Sequence, residues 1–251
     1  MEQSILLWTL IIMRVSGFVL VNPILSRRGI PGIVKSGIIM ALSIFLISYG
    51  GDETVAAAGM VEYVFLLLKE FVIGYLIGFI VSLFQYIIMM AGGIIDYMMG
   101  LSMATVYDPQ SGSSMALTAS LLNYMFVLVF FAVDGHVALF RVLIMMREIL
   151  PYGSFTINPN TLPMMLELFA QCTLLGVQMA FPIIALELLG ESGVGILMRT
   201  IPQINIFAIN IQTKIIVGLL AVLFLVGPFV DFINKIILMM MEQINIVAGL
   251  M

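Results

Sequence analysis

Charged residues are scarce in this chain. Aspartate, glutamate, lysine and arginine together make up 10% of its 251 residues, whereas hydrophobic residues make up 62%, and the mean hydropathy is +1.19. About a quarter of the residues in a soluble domain are charged. Because so few charges cannot cover the surface of a soluble protein of this size, the sequence predicts an integral membrane protein. The net charge is −4 and the basic residues form no run, which argues against a nucleic acid as partner.

Cysteine and histidine occur once each, as Cys172 and His136. A single cysteine excludes a disulfide within the chain and a thiolate metal site. A single histidine argues against a histidine metal cluster and against a Ser-His triad. The H-E-x-x-H, G-x-S-x-G and P-loop signatures are absent from the sequence as well. We therefore predict that the chain is not an enzyme and holds no metal ion or other cofactor.

Long hydrophobic runs, in contrast, are abundant. Their approximate bounds are 4–25, 32–50, 60–95, 115–147, 162–189 and 213–245. Each is close to or longer than the roughly 20 residues that a membrane-spanning helix needs, so the sequence predicts an all-α membrane protein. The third, fourth and sixth runs exceed one straight span. We expect breaks in them at Gly92-Gly93, Asp134-Gly135 and Gly227-Pro228, because glycine loosens a helix and proline removes a backbone donor.

Ionisable residues interrupt these apolar runs. An arginine in the middle of a spanning helix costs about 2.5–3.5 kcal/mol on insertion scales, so such groups need partners. Salt bridges within the chain, a water-filled path and contacts with other subunits would each supply them. A secondary transporter, whose midplane charges serve a small substrate, and a purely structural membrane scaffold are the alternative functions that the pattern leaves open. The residues are Arg14, Glu62, Lys69, Glu70, Asp96, Asp134, Glu167, Glu187, Asp231 and Lys235.

Three local features are distinct from this apolar background. Gly74 and Gly78 are four residues apart, so they share one helix face and allow another backbone to approach closely. The small, polar segment Asp108–Ser114 is typical of a solvated turn, and it also fits a mobile segment that occupies a channel. Methionines that precede it fit either pliable core filler or a compressible seal. They are Met98, Met99 and Met103.

A polar cluster lies between the last two apolar runs. It contains Arg199, Pro202-Gln203 and Asn205, and it extends to Lys214. Amides and charges of this kind are costly in or near hydrocarbon unless they have partners. Since the sequence contains no catalytic or metal-binding pattern, we interpret the cluster as a joint that satisfies neighbouring helices where the last hairpin turns.

The order of these features resembles the FliR/SctT family, the export-gate subunits of flagellar and virulence type III secretion systems. The residues that carry the resemblance cover nearly the whole chain. They are Arg14 with Gly17-Phe18 and Pro23, Ile30-Pro31, Glu70 with Gly74 and Gly78, Ala91-Gly92 with Asp96 and Gly100, Asp108-Pro109 with Gly112, Gly135-His136, Leu150-Pro151, and finally Gly195, Arg199, Pro202-Gln203, Asn205, Phe207 and Lys214. One stretch departs from the family pattern. The family usually has a glycine and then a proline before the lysine, whereas Asn210, Gln212 and Thr213 stand in that region here.

The resemblance implies a non-enzymatic core subunit, built of long, kinked helical hairpins that pack into a helical hetero-oligomeric export gate. In this family, one copy joins five copies of FliP and four of FliQ, FlhB contacts the assembly, and unfolded flagellar or effector proteins pass through it. The resemblance further implies one domain over 1–251, with a FliP-like part at about 1–160 and a FliQ-like part at about 161–251. The expected location is the bacterial cell membrane at the flagellar basal body, which is the inner membrane in a Gram-negative cell.

Site residues are implied by position in the family pattern. The loop between the middle helices corresponds to the family's channel plug, the neighbouring methionines to a seal, and the polar and glycine positions to assembly and packing. The plug residues are Tyr107, Asp108, Pro109, Gln110, Ser111, Gly112, Ser113 and Ser114. The seal residues are Met98, Met99 and Met103. The assembly and packing residues are Arg14, Glu70, Gly74, Gly78, Asp96, Arg199, Pro202, Gln203, Asn205, Phe207 and Lys214.

Overall fold

The structure, a computed structural model, describes residues 2–27, 29–49, 59–101, 106–108, 113–154, 159–200 and 206–250. Helices account for most of these residues, which confirms the predicted all-α class. The helices are α1 (Glu2–Val21), α2 (Gly32–Tyr49), α3 (Met60–Met98), α4 (Leu117–Ala132), α5 (Gly135–Ile149), α6 (Thr161–Thr200), α7 (Ile206–Phe224) and α8 (Val226–Leu250). Between α3 and α4 the chain forms a short antiparallel pair, β1 (Val106–Asp108) and β2 (Ser113–Met115).

The helices have the length and composition of membrane spans. Among the described residues, four segments are long and apolar enough to cross a bilayer. They are 32–49, 60–98, 161–197 and 226–249. A fifth span is formed if α4 and α5 are counted as one broken helix. These segments confirm the prediction of a membrane protein.

Two of the three predicted breaks are present. Helix α4 ends at Ala132 and α5 begins at Gly135, and Asp134 between them has a φ of 54°, in the left-handed region that helices exclude. The break between α7 and α8 falls at Leu225, two residues before the predicted Gly227-Pro228. Pro228 thus lies in the first turn of α8, where its missing N–H leaves no intrahelical bond unmade.

The third predicted break, at Gly92-Gly93, is wrong, because α3 continues unbroken to Met98. Tertiary packing explains the continuity, since a Cβ atom at Gly92 would overlap the backbone of Ala119 in α4. The glycine therefore serves close packing of two helices instead of ending one. Helix α6 also runs further than predicted. It passes through Pro182 and ends at Thr200, whereas the apolar run in the sequence ends near 189.

Residue contacts divide the chain into two compact units. The first consists of Met1–Phe84, Asp134–Leu168 and Ile237–Met251, and the second of Gln85–Val133 and Phe169–Ile236. In the first unit, α1 and the first half of α3 lie with their backbones in contact. A Cβ atom at Gly74 would overlap the carbonyl oxygen of Arg14, and one at Gly17 would overlap that of Phe71. The glycine face predicted from Gly74 and Gly78 thus packs on α1 of the same chain.

Candidate functional site

A polar hairpin follows the end of α3. Its strands pair Val106 with Met115, Tyr107 with Ser114, and Asp108 with Ser113. Four of the eight predicted plug residues therefore belong to β1 and β2. The other four, Pro109, Gln110, Ser111 and Gly112, lie outside the described residues, as do the side chains of the two strands.

Asp96 joins the two helices between which this hairpin lies. Its carboxylate accepts a hydrogen bond from the backbone N–H of Thr118 at 2.9 Å and another from the Thr118 hydroxyl. Asp96 is fully buried, and Thr118 lies in the first turn of α4. The first N–H groups of a helix have no partner within the helix and carry partial positive charge, so a carboxylate from α3 caps α4. This cap holds the last turns of α3 against the first turn of α4.

Further contacts between α3 and α4 reinforce that position. The Gln85 side-chain amide donates to Asn123 Oδ1 at 2.7 Å, and both side chains are buried. Gly92 meets Ala119 in the middle of the same interface. The two helices are therefore joined by an amide pair, a close glycine contact and a carboxylate cap along their length.

The predicted seal methionines have different surroundings. Met99 is fully buried in the second unit, where its side chain contacts Gly218 of α7. Met98 is half-buried, and Met103 lies outside the described residues. Met99 follows Asp96 by about one helical turn, near the end of α3.

Arg14 and Glu70 form a buried ion pair in the first unit, with 2.6 Å between Arg14 Nε and Glu70 Oε2. Each partner also holds the turn that follows α5. Arg14 Nη1 donates to the carbonyl oxygen of Leu150 at 2.9 Å, and the backbone N–H of Gly153 donates to Glu70 Oε1 at 2.9 Å. The guanidinium carbon lies 4.2 Å from the centre of the Tyr152 ring, a cation–π distance. The pair thus joins α1, α3 and the α5–α6 turn within one chain.

The polar cluster at the end of α6 is only partly described. Arg199 lies in the last turn of α6 and is exposed. Pro202, Gln203 and Asn205 lie outside the described residues, and Phe207 lies in the first turn of α7 without a described side chain. Lys214 donates to the carboxylate of Glu191, which joins α7 to α6.

The segment that departs from the family pattern is helical. Asn210 to Thr213 belong to α7, which begins at Ile206. Because neither glycine nor proline interrupts this stretch, the helix is already formed where Lys214 reaches Glu191. The described segment is therefore continuous helix from Ile206 through Lys214.

Sequence reasoning missed the groups that complete these contacts. Thr118 and Asn123 are polar residues in an apolar run, and Leu150 and Gly153 contribute only backbone atoms. One feature indicates that the first turn of α4, which contains Thr118, needs a cap from another part of the chain. The residue before α4 is Ala116, which cannot cap a helix with its side chain, so the cap had to come from elsewhere in the chain.

Metal chemistry has no visible basis in the described part of the chain, because no three histidine, cysteine, aspartate or glutamate residues there come together. The described site consists of helices joined by buried polar contacts. A polar hairpin lies between α3 and α4, and Asp96 of α3 caps the first turn of α4. Such an arrangement can hold a segment in place or release it.

Comparisons with known proteins give a consistent result. The family model described as "Bacterial export proteins, family 1" matches residues 5–240. The chain is 30% identical to the flagellar biosynthetic protein FliR of Escherichia coli K12, over 88% of this chain and 85% of that protein. It is 26% identical to FliR of Bacillus subtilis strain 168, over 83% and 82% of the two chains. It is also 23% identical to the Yop proteins translocation protein T of Yersinia pestis, over 98% and 95%.

Proposed function

The chain belongs to the bacterial export proteins of family 1, the FliR/SctT family, and from this we propose that it helps to form and close a protein-conducting channel. The apparatus is the flagellar or type III export machinery, a membrane assembly. Its substrates are unfolded flagellar or effector proteins. The chain makes and breaks no bond in this role, so it acts as a structural and gating subunit.

One observation carries the proposal, namely a polar hairpin between α3 and α4 whose flanking helices are joined by the buried Asp96 carboxylate. A loop that only connects two apolar helices needs no buried carboxylate to fix its ends. Here the cap joins the two helices that flank the hairpin, and a plug needs such an attachment if it is to block a channel and return after a substrate has passed. Met99 is buried one turn from Asp96, and we propose that it contributes to a seal beside the plug.

The exposed apolar surface supports a partnered subunit. In α2 the spanning window is only 11% buried, and Ile33 is 86% exposed. Lipid covers such a surface, and so do the hairpins of neighbouring subunits. We propose that five copies of FliP and four of FliQ contact one copy of this chain, with FlhB nearby. We place the assembly in the bacterial cell membrane at the flagellar basal body, in the inner membrane if the cell is Gram-negative.

The two parts that we propose for this chain follow each other in sequence. We propose that residues 1–160 form the FliP-like part and residues 161–251 the FliQ-like part. The plug hairpin then belongs to the first part. The second part consists of α6, α7 and α8, with the Lys214–Glu191 pair between α6 and α7.

Deleting Gln110–Ser114 tests the plug directly. The deletion shortens the hairpin and leaves the Asp96 cap in place, so the complex is expected to assemble while ions or small molecules leak through it. Leakage is measured as dye or ion flux in cells that express the complex, with protein level and co-purification recorded alongside. A five-residue deletion of 50–54, in another linker, is the length-matched control and should leave leakage unchanged.

A second variant separates the plug from its anchor. Asp96→Asn keeps the size of the side chain but loses the charge that stabilises the α4 N-terminus, so the hairpin remains present while its base is weakened. We expect leakage between that of the wild type and that of the deletion. If the Gln110–Ser114 deletion assembles properly and leaks no more than the wild type, the hairpin is not a plug, whatever the result for Asp96→Asn.

A further inference from the structure

Helices α6 and α7 present a short polar face to each other. Lys214 on α7 pairs with Glu191 on α6. One turn away on each helix, Glu187 of α6 faces Gly218 of α7, and a Cβ atom at Gly218 would lie 2.9 Å from Glu187 Oε1. The two helices are antiparallel here, because Glu187 precedes Glu191 by four residues in α6, whereas Gly218 follows Lys214 by four residues in α7. Residues four apart share a helix face, so both glutamates point towards α7.

Glu187 is the buried member of this group. Its exposed fraction is 2%, and its Oε1 atom has no hydrogen-bond partner among the described residues. The space beside it is closed by Gly218 and by the side chain of Met99, whose Cε would lie 2.9 Å from a Cβ at Gly218. Neither residue donates a hydrogen bond to a carboxylate. A charged carboxylate with a buried oxygen that accepts no hydrogen bond is strongly disfavoured by desolvation.

The charges on this polar face indicate how the desolvation of Glu187 is avoided. Among the described contacts of this face, two carboxylates, Glu187 and Glu191, accompany one cation, Lys214, and Met99 at the end of α3 is uncharged. If all three groups were ionised, the face would carry one net negative charge, located on the buried Glu187. A proton on Glu187 makes the face neutral and leaves the Lys214–Glu191 pair intact.

We propose that Glu187 is a proton-binding site whose occupancy selects the partner of Lys214. While Glu187 holds its proton, Lys214 pairs with Glu191. When the O–H bond breaks, the proton leaves to water and its electron pair stays on the carboxylate. The Lys214 ammonium, still protonated, then moves from Glu191 to Glu187. The distance is one helical turn, about 5.4 Å, and a lysine has a flexible four-carbon stem.

The exchange has a consequence for Met99. An ammonium group brought to Glu187 enters the space that Gly218 and Met99 close, so the methionine must shift. Met99 lies one turn from Asp96, the anchor of the hairpin. The effect on a channel seal rests on the proposed function above, whereas the proton site and the exchange of partners do not.

Infrared spectroscopy of the intact complex, extracted in mild detergent, detects the proton itself. A protonated carboxylic acid has a C=O stretching band that a carboxylate lacks. At neutral pH, the wild-type spectrum minus that of Glu187→Gln should show this band. Glu191→Gln should lose the same band, because Lys214 then has only Glu187 to pair with and Glu187 gives up its proton. Lys214→Met should keep it.

Glu62→Gln, at an exposed position in the first turn of α3, is the control and should leave the band unchanged. Absence of the band from the wild type would show that Glu187 is ionised and would overturn the proposal. A band that persists in Glu191→Gln would overturn the exchange. The variants at Glu191 and Lys214 keep Glu187 itself, so the test stands even if Glu187→Gln does not assemble. If the plug deletion causes no leakage, the infrared spectra still test the proton site at Glu187, because they do not depend on the plug.

Discussion

Arg14 and Glu70 illustrate what a single buried pair contributes to this fold. The two side chains are 56 positions apart in sequence and meet where α1 and α3 touch. Their attraction is offset by the cost of removing both charges from water. The additional bonds to Leu150 and Gly153 offset part of this cost, and they also fix the α5–α6 turn. The pair is therefore a structural centre of the first unit.

Removing both partners should destabilise the protein by less than the sum of the two single removals. Arg14→Met alone and Glu70→Leu alone each leave an uncompensated buried charge, so each should destabilise the protein by about 3–5 kcal/mol. The double variant should lose clearly less than the sum of the two. Resistance to heat and to protease in detergent provides the measurement. Asp231→Asn, an exposed position on α8, should change neither property. Additive losses in the double variant would mean that the two residues act separately.

The sequence predicted which residues were costly but not how they are satisfied. Arg14 and Glu70 were recognised because charges are expensive in apolar helices. Their pairing depends on the register of α1 against α3, which one sequence does not specify. Leu150 and Gly153 contribute backbone atoms, which carry no residue signature. Asp96 was noted for the same reason as Arg14, and its cap on Thr118 likewise became visible only in three dimensions.

At the scale of elements, adjacent glycines in α3 have opposite surroundings. A Cβ atom at Gly92 would overlap Ala119 of α4, whereas a Cβ atom at Gly93 would have no neighbour within 4 Å. The first glycine permits the α3–α4 contact that positions the hairpin. The second has no such packing role in this chain.

This difference gives a matched pair of variants. Gly92→Ala should destabilise the complex by about 1–3 kcal/mol, because overpacking forces the helices apart. Gly93→Ala should be neutral or stabilising by up to about 1 kcal/mol, because alanine is a better helix former than glycine. Thermal stability of the extracted complex distinguishes them. Equal effects of the two substitutions would contradict the α3–α4 packing described above.

Helices and helix breaks were predictable from the sequence where one local property of the chain determines them. Long apolar runs predicted the helices, and Asp134-Gly135 predicted the break between α4 and α5. Gly92-Gly93 was misread because propensity alone treats glycine as a weak point, while here a neighbouring helix makes use of it. The strands β1 and β2 were not predicted, because three residues on each side of a polar turn give no recognisable alternation.

At the scale of the whole molecule, the chain exposes much of its apolar surface. Large hydrophobic side chains such as Met60 and Phe224 are more than four-fifths exposed. Exposed patches of this kind mark surfaces that lipid or other proteins cover. The scarcity of charge already predicted this property. The sequence pattern also predicted the family, because that resemblance depends on residue types in order and not on their contacts.

The mass of the complex extracted in mild detergent tests the central claim most directly. Tagged chain is purified from its own membrane, and the mass and composition of the intact assembly are measured. The account predicts one copy of this chain with five copies of FliP and four of FliQ, and the same composition for the Gln110–Ser114 deletion. A chain that purifies alone and transports a small substrate would instead be a secondary transporter, and this result would contradict the account.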